Sequence, residues 1–198
     1  MNRLKTLLRA ECAFKPSDTL LDRFIGLGKL RKLTSADVLT EPGKVDTNVY
    51  VVKKGIVRFS DMDGERERTF GFALPGSVFY NKHSFVKGIA SYYKVDVWGA
   101  TEVLVISQAS YRRLLTTDIE AAVWMLHYAE EELFYQEYKN RMVNNGTARE
   151  RFASLLKVRP ELMADVPQRI LASYLGITPE YFSRLKRILT KELPLIAE

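Results

Sequence analysis

The sequence predicts an α+β fold in which a β-rich N-terminal part, one long helix and a small helical C-terminal part follow one another. Three observations predict it. Short runs rich in β-branched and aromatic residues alternate with glycine-containing turns between residues 30 and 107. Residues 118–145 contain neither proline nor glycine and can form one helix about 42 Å long. Two short helical patterns then meet at Gly176.

The β-rich part is predicted from strand-like runs that turn residues separate. Asp63-Gly64 lies between two such runs and is typical of a tight hairpin. Lys54-Gly55 and Gly99 are expected to end strands. Several short strands at this spacing favour a β-barrel, a jelly roll or a sandwich. The runs are Val49–Val52, Ile56–Ser60, Thr69–Ala73, Val95–Trp98 and Val103–Ser107.

Helices are predicted before the strands, because Asn2–Arg9 and Ser17–Leu27 each carry an apolar stripe at helical spacing. The sequence therefore predicts three regions: an N-terminal β-barrel domain with these helices at residues 1–117, a long helix at 118–145 and a helix-turn-helix domain at 146–198.

The boundary before the third region is predicted at residues 144–147. Two asparagines and a glycine end the long helix there. Thr147 can cap the next helix with Glu150 as its capping-box partner. That helix is expected at Arg151–Lys157, and Pro160 is expected to end it.

The long helix carries residues that recur at alternating steps of three and four, the spacing of a coiled-coil seam. This pattern predicts a homodimer, and a polar member such as Gln136 can set the register of the pair. The alternative is a single helix that lies on its own barrel. The predicted seam residues are Ile119, Ala122, Leu126, Ala129, Leu133 and Gln136.

A helix-turn-helix is predicted at residues 166–189. A first helix from Pro167 would place Ile170, Leu171, Tyr174 and Leu175 on one face, with Ala172 where the helices cross. Gly176 ends it, because the left-handed conformation suits glycine. Thr178 can cap the second helix and Pro179 suits its first turn. The second helix is expected to bury Phe182, Leu185, Ile188 and Leu189.

The outer face of the second helix is mainly cationic, which suits a negatively charged partner such as the DNA major groove. An ordinary helical hairpin would not need this charge. The predicted DNA-binding residues are Thr178, Glu180, Tyr181, Ser183, Arg184, Lys186, Arg187 and Lys191.

Composition narrows the classes of protein that remain possible. The 198 residues carry a formal charge of +6, which favours anionic partners. Cys12 is the only cysteine, so no internal disulfide forms and a cytoplasmic protein is expected. We expect no signal peptide in the N-terminal residues, which lack an apolar block, and no membrane helix, since no apolar run is long enough. Two histidines far apart predict no metal site, so a cupin-like enzyme is the weakest alternative.

This order of elements resembles the Crp/Fnr family of bacterial transcription regulators, which are related to the cyclic-AMP receptor protein. The resemblance covers residues 30–189, and its motifs are specific mainly through their shared order. It implies a jelly-roll domain like those that bind cyclic nucleotides. The pieces that carry it are KLTSADVLTEPGKVDTNVYVVKKGIVRFS (Lys32–Ser60), ALPGSVF (Ala73–Phe79), WGATEVLVIS (Trp98–Ser107) and ILASYLGITPEYFSRLKRIL (Ile170–Leu189).

The resemblance implies a homodimer on double-stranded DNA, with recognition helices in successive major grooves of an inverted repeat about 34 Å apart. Glu180, Tyr181 and Arg184 match the base-reading positions. Lys186, Arg187 and Lys191 are expected to contact phosphates, and an activator would also contact RNA polymerase. Pro179 stands where the family often has arginine, which implies a different operator.

The effector site departs from the family. Cyclic-nucleotide binders have a Gly-Glu pair and, some ten residues on, an arginine followed by serine or threonine. Tyr80-Asn81 and Ser91-Tyr92-Tyr93 stand there instead, so no cyclic AMP is expected. Lysines at 82, 87 and 94 could replace the arginine. Either an unidentified effector binds or the aromatic residues fill the core. The candidate pocket residues are Tyr80, Asn81, His83, Tyr92 and Tyr93.

The C-terminus also departs, because residues 189–198 leave no room for the β-hairpin wing that relatives carry. We therefore expect few wing contacts to the DNA backbone. A protein-interaction scaffold whose helix-turn-helix no longer binds DNA stays open as the alternative function.

Overall fold

The structure, a computed structural model, describes residues 2–192 and side chains up to Leu189. The described chain divides into two compact units. The first comprises the residues up to Met62 and Gly71–Phe134, and the second comprises Asp63–Phe70 and the residues from Tyr135 onward. In the long helix, the division falls between Phe134 and Tyr135.

The first part of the chain combines short helices with six strands. In order, these elements are α1 (Asn2–Ala10), α2 (Asp18–Gly26), β1 (Lys29–Leu33), β2 (Val38–Thr40), β3 (Val49–Asp63), β4 (Arg66–Ala73), β5 (Val78–Tyr80), α3 (Lys82–Lys87), β6 (Lys94–Ile106) and α4 (Gln108–Thr117). The remainder is helical within the described residues: α5 (Ile119–Asn145), α6 (Ala148–Val158), α7 (Pro160–Asp165), α8 (Gln168–Leu175) and α9 (Pro179–Glu192).

The strands form one sheet of jelly-roll type, in the order β1-β6-β3-β4. Two short strands lie outside this order: β2 pairs with β6, and β5 pairs with β3. The central β3–β6 pair is antiparallel, with Val49 opposite Ile106 and Ser60 opposite Lys94. The long central strands therefore connect the short ones into a single sheet.

Gly55 and Gly99 were expected to end strands. Each instead lies inside a long strand, Gly55 in β3 and Gly99 in β6. Val49–Val52 and Ile56–Ser60 belong to β3, whose register with β6 shifts around Lys54. Gly55 has a φ of 85° there, and Gly99 in β6 has a φ of 70°. Glycine accepts these angles without steric cost, so a bulge absorbs the irregularity and pairing resumes beyond it.

Several short elements have no clear signal in the sequence. Strand β1 has four exposed residues followed by the buried Leu33, without the alternation of a typical half-buried strand. It forms because it pairs with β6, Lys29 opposite Val105. Pro160 ends α6 as predicted but also begins α7, since proline fits the first turn of a helix.

Helices cover one face of the sheet in the first unit. Trp124 of α5 and Phe24 of α2 are fully buried, with ring centroids 5.0 Å apart at an interplanar angle of 81°. The Tyr128 hydroxyl accepts a hydrogen bond from the Val78 backbone N–H at 2.8 Å. Leu8 and Ile106 complete the same core. Part of α5 therefore packs on its own unit.

The predicted seam lies on another face of α5. Ile119, Leu126 and Leu133 are 80%, 59% and 70% exposed, although all three are large and apolar. Ala129 is exposed, and Ala122 and Gln136 are half-buried. No helix of the described chain is long and apolar enough to cross a bilayer.

Alanine substitutions at Gly55 and Gly43 test the bulge in β3. A Cβ at Gly55 would overlap the Thr101 hydroxyl, whereas a Cβ at Gly43, also at positive φ, would meet no atom within 4 Å. Gly43→Ala should lower the free energy of unfolding by about 1–2 kcal/mol, the cost of a left-handed alanine. Gly55→Ala should lower it by about 3 kcal/mol or more, because the overlap adds to that cost. Urea unfolding measures both, and equal losses would contradict this account of the bulge.

Candidate nucleic-acid interface

The turn between α8 and α9 is built around a left-handed glycine. Gly176 has a φ of 65° and a ψ of 39°. The Ile177 N–H donates to the Ala172 carbonyl at 3.0 Å, and the Gly176 N–H donates to Ser173 at 3.1 Å. This is the Schellman arrangement, which satisfies the last carbonyls of a helix. Ala172, the small residue expected where the two helices cross, is fully buried.

The start of α9 is capped as predicted. The Thr178 hydroxyl accepts a hydrogen bond from the Tyr181 N–H at 3.2 Å. Backbone and Thr178 hydroxyl hydrogen bonds lower the pKa of the Glu180 carboxyl. A carboxylate in the first turn also complements the positive end of the helix dipole.

The inner face of α9 is apolar and packs on the rest of the second unit. Phe182 is fully buried, with its ring centroid 5.0 Å from that of Phe152 on α6. Leu185 and Leu189 are also buried. Ile188 was predicted to be buried, but it is 39% exposed. Ile188 lies at the edge of the buried stripe, between the exposed Arg187 and the buried Leu189, so helical spacing alone did not predict its exposure.

The outer face carries most of the predicted DNA-binding residues. Thr178, Glu180, Ser183, Arg184 and Arg187 are exposed, and Tyr181 and Lys186 are half-buried. The Lys191 side chain lies outside the described residues, as does the segment predicted to lack a wing.

The side chains of Arg184 and Ser183 on the outer face have partners within the second unit. The Arg184 guanidinium carbon lies 4.6 Å from the centroid of the Tyr181 ring, a cation–π contact. The Ser183 hydroxyl donates to the Gln168 side-chain carbonyl of α8 at 3.1 Å. Ser183 therefore joins the two helices, a role that the sequence did not indicate.

Arg151 of α6 connects the turn to the end of α5. Its Nε donates to the Leu175 carbonyl at 2.9 Å, and its Nη1 donates to the Gly146 carbonyl at 2.7 Å. Sequence reasoning missed this role, because nothing in the local pattern indicates two carbonyls that lie 24 and 5 residues away. The predicted capping box of Thr147 and Glu150 is present beside it.

Strand β4 of the β3–β4 hairpin contacts α8. The Thr69 N–H donates to the Ser173 hydroxyl at 3.0 Å. Lys139 of α5 donates to the Phe70 carbonyl, and its Nζ lies 5.4 Å from the Tyr174 ring centroid. The first helix of the helix-turn-helix is therefore bound to β4 and to α5 within the second unit.

The predicted effector residues come together in the first unit. Asn81 caps α3 by accepting from the Ser84 N–H, and its Nδ2 donates to the Ser91 hydroxyl at 2.5 Å. Both Asn81 and Ser91 are buried. The two segments aligned with the nucleotide-binding pairs therefore do face each other, through neutral groups.

The aromatic members of this group mostly contact one another. Tyr80 stacks on Phe85 with centroids 4.2 Å apart, and His83 lies edge-on to Tyr92 at 4.7 Å. Tyr92 is 59% exposed. Tyr93 is buried, which raises the pKa of its hydroxyl to about 12. Among the described residues, no group of three or more histidine, cysteine or acidic side chains could hold a metal ion.

No protein-family model matches the sequence, and no curated protein matches it. Solved structures match the fold. FixK2 from Bradyrhizobium japonicum matches with a TM-score of 0.71 at 22% identity, over 83% of this chain and 85% of that one. CLP from Xanthomonas campestris, a c-di-GMP responsive global regulator, gives 0.68 at 18% identity over 89% and 93%. The catabolite activator protein of Thermus thermophilus gives 0.55 at 20% identity over 89% and 84%.

The chain therefore has the fold of the Crp/Fnr regulators. The predicted fold class, with a jelly-roll domain, a long helix and a C-terminal helix-turn-helix, is confirmed. At these identities the comparison concerns the fold alone.

Arg151→Met tests the contact between the turn and the end of α5. The change leaves two backbone carbonyls without their charged donor, so the free energy of unfolding should fall by about 2–4 kcal/mol. Lys157→Met, at an exposed position of α6, is the matched control and should change it little. Urea unfolding followed by tyrosine fluorescence measures both. Similar losses in the two variants would show that the Arg151 hydrogen bonds contribute nothing.

Proposed function

We propose that this chain is a transcription regulator that binds an inverted-repeat operator in double-stranded DNA as a homodimer. One observation carries the proposal: α9 buries Phe182, Leu185 and Leu189 and turns a mainly cationic face to solvent, in a capped helix-turn-helix. A cationic helix of this size fits the major groove. The fold shared with Crp/Fnr regulators supports the same function.

Base reading is assigned to the first turns of α9. The Arg184 guanidinium can donate two hydrogen bonds to guanine, and the Glu180 carboxylate can accept one from cytosine. The contact of Arg184 with the Tyr181 ring uses none of its hydrogen-bond donors, so it orients the side chain and leaves the donors to DNA. Lys186, Arg187 and Lys191 are assigned to phosphates, which position the protein without reading sequence.

Homodimer formation is assigned to the exposed seam of α5. Ile119, Leu126 and Leu133 together present an apolar surface that a soluble monomer rarely exposes. Trp124 and Tyr128 on another face already pack on the first unit, so the seam is free to pair. An activator of this type would in addition contact RNA polymerase.

The effector of the jelly-roll domain is left open, and cyclic AMP is not proposed. Asn81 and Ser91 are neutral, and they bond to each other where the family pattern has a glutamate and an arginine. Lys82 and Lys87 are exposed, while Lys94 pairs with Asp96 at 3.1 Å. A buried phosphate would lack its cation there, at a cost of several kcal/mol. The absence of a nucleophile or phosphate-loop motif from the sequence also favours a regulator over an enzyme.

Selection of bound fragments from random DNA duplexes, with and without cell extract, tests this function. We expect enrichment of an inverted repeat with half-sites about one helical turn apart. A difference between the two selections would reveal dependence on a metabolite. If no sequence is enriched among the bound fragments at any salt concentration, the proposal is contradicted and the scaffold alternative is favoured.

Arg184 and Arg187 form a matched pair for separating base contacts from phosphate contacts. Arg184→Ala should cost about 1–3 kcal/mol of operator binding and relax the preference at one base pair. Arg187→Ala should weaken binding to all sequences equally and lower the slope of log affinity against log salt by about 1. Arg113→Ala, exposed on α4, is the control. Anisotropy titrations at several salt concentrations measure these effects. If Arg187→Ala relaxed the base preference and Arg184→Ala weakened binding to all sequences equally, the two assignments would be reversed.

Leu126→Glu tests the seam. A charge in an apolar pairing surface should give monomers, and operator binding should weaken by about 10²–10⁴-fold because the second half-site loses its tether. Phe134→Glu is the matched control, since Phe134 is 68% exposed but stands outside the seam spacing. Sedimentation velocity should find dimers for Phe134→Glu and monomers for Leu126→Glu. A dimeric Leu126→Glu variant would rule out this seam.

A further inference from the structure

The second unit contains a cavity that none of the functions above uses. It lies between the last turns of α5, α6 and the end of α8, and its empty volume is about 520 Å³, part of which opens to solvent. Met142, Leu155 and Leu175 supply apolar walls. Mainly apolar walls with a few polar groups are typical of the sites at which proteins bind small molecules.

Hydroxyl groups occur at two places on the cavity wall. The hydroxyls of Tyr135 and Tyr174 lie 3.1 Å apart, and those of Tyr138 and Ser154 lie 3.0 Å apart. Burial raises the pKa of the Tyr174 hydroxyl, so this group stays neutral and can donate a hydrogen bond. A ligand therefore meets hydroxyl donors beside an apolar surface.

The charged residues that line the cavity are all cationic. Lys139, Arg151 and Arg159 line it, and none of the described lining residues is acidic. Arg151 and Lys139 already donate to backbone carbonyls. Within the described part of the chain, the Arg159 guanidinium has one ion pair, with its Nη1 4.0 Å from the Glu161 carboxylate. The guanidinium of Arg159 is thus placed to pair with an anion.

We infer that this cavity binds a small organic acid, with an aromatic or branched apolar body among Met142, Leu155 and Leu175 and a carboxylate at Arg159. Arginine and carboxylate make strong, charge-assisted hydrogen bonds. The apolar body would displace water from the walls, which supplies the rest of the affinity.

The occupant is a small molecule rather than the partner helix of the dimer. Tyr135, Lys139 and Met142 recur at steps of four and three residues and share one face of α5. The seam residues Leu133 and Gln136 lie on a different face of the same helix. Of the wall residues that α5 supplies, Val143 alone falls at the seam spacing, so pairing through the seam leaves Tyr135, Lys139 and Met142 uncovered.

Occupation of the cavity also has a consequence for DNA, which rests on the proposed function. The cavity walls come from α5, α6 and α8, and α8 carries the turn that positions α9. A ligand that holds these three helices together would change operator affinity by favouring one orientation of α9.

Calorimetric titration of the full chain without DNA tests the site directly. Benzoate, phenylacetate and 1-naphthoate are the probes, and 1-naphthylmethanol is the neutral counterpart of the largest. We expect at least one acid to bind and the neutral counterpart to bind about tenfold more weakly, since it lacks the charge that pairs with Arg159.

Three variants locate the bound acid. Arg159→Gln should weaken acid binding about tenfold, whereas Arg169→Gln, an exposed arginine of α8 outside the cavity, should leave it unchanged. Val158→Trp places a large side chain at a 47% exposed position of the wall and should abolish binding while circular dichroism stays unchanged.

Two results would overturn the inference. One is that no acid binds below 10 mM, a concentration about tenfold above the 1 mM scale of weak specific binding. The other is acid binding that persists in both Arg159→Gln and folded Val158→Trp. Neither result concerns DNA, so the selection from random duplexes can still succeed. Conversely, the chain could bind the acid and yet select no operator. The binding site would then be supported, and only its proposed effect on DNA binding would be contradicted.

Discussion

The long helix α5 has to serve three environments at once, and the rest of the structure depends on this constraint. One face places Trp124 and Tyr128 in the core of the first unit. A second face leaves Leu126 and Leu133 exposed. Farther along, Lys139 and Met142 belong to the second unit. A helix with apolar residues on several faces has no single stripe, so its pattern alone cannot say which face packs where.

Trp124 shows how strongly burial dominates in the first unit. Its Nε1 is buried and has no hydrogen-bond acceptor among the described residues. An unsatisfied donor costs about 1–3 kcal/mol. Burial of a tryptophan removes about 150–250 Å² from water, which at about 25 cal/mol per Å² stabilises by about 4–6 kcal/mol. The apolar contribution is larger, and the edge-on contact with Phe24 adds to it.

The helix-turn-helix combines local and non-local interactions. Gly176 and Thr178 act within a few residues of themselves, through backbone angle and capping, and the sequence predicted both roles. The contacts of Arg151 with Leu175 and of Thr69 with Ser173 join distant segments. These contacts bind α8 to other elements of the second unit, so the setting of the helix-turn-helix depends on residues outside the motif.

The sequence by itself determined the order of the elements, the capping of the helices and the cationic face of α9. These properties follow from helical spacing and from the backbone preferences of single residues, which act over a few positions. The tertiary structure decided which strands continue past Gly55 and Gly99, because pairing with β6 or β3 stabilises a strand beyond a bulge. It also decided that Asn81 meets Ser91 and that Arg159 borders a cavity, since only the folded backbone brings residues that are distant in sequence within bonding distance.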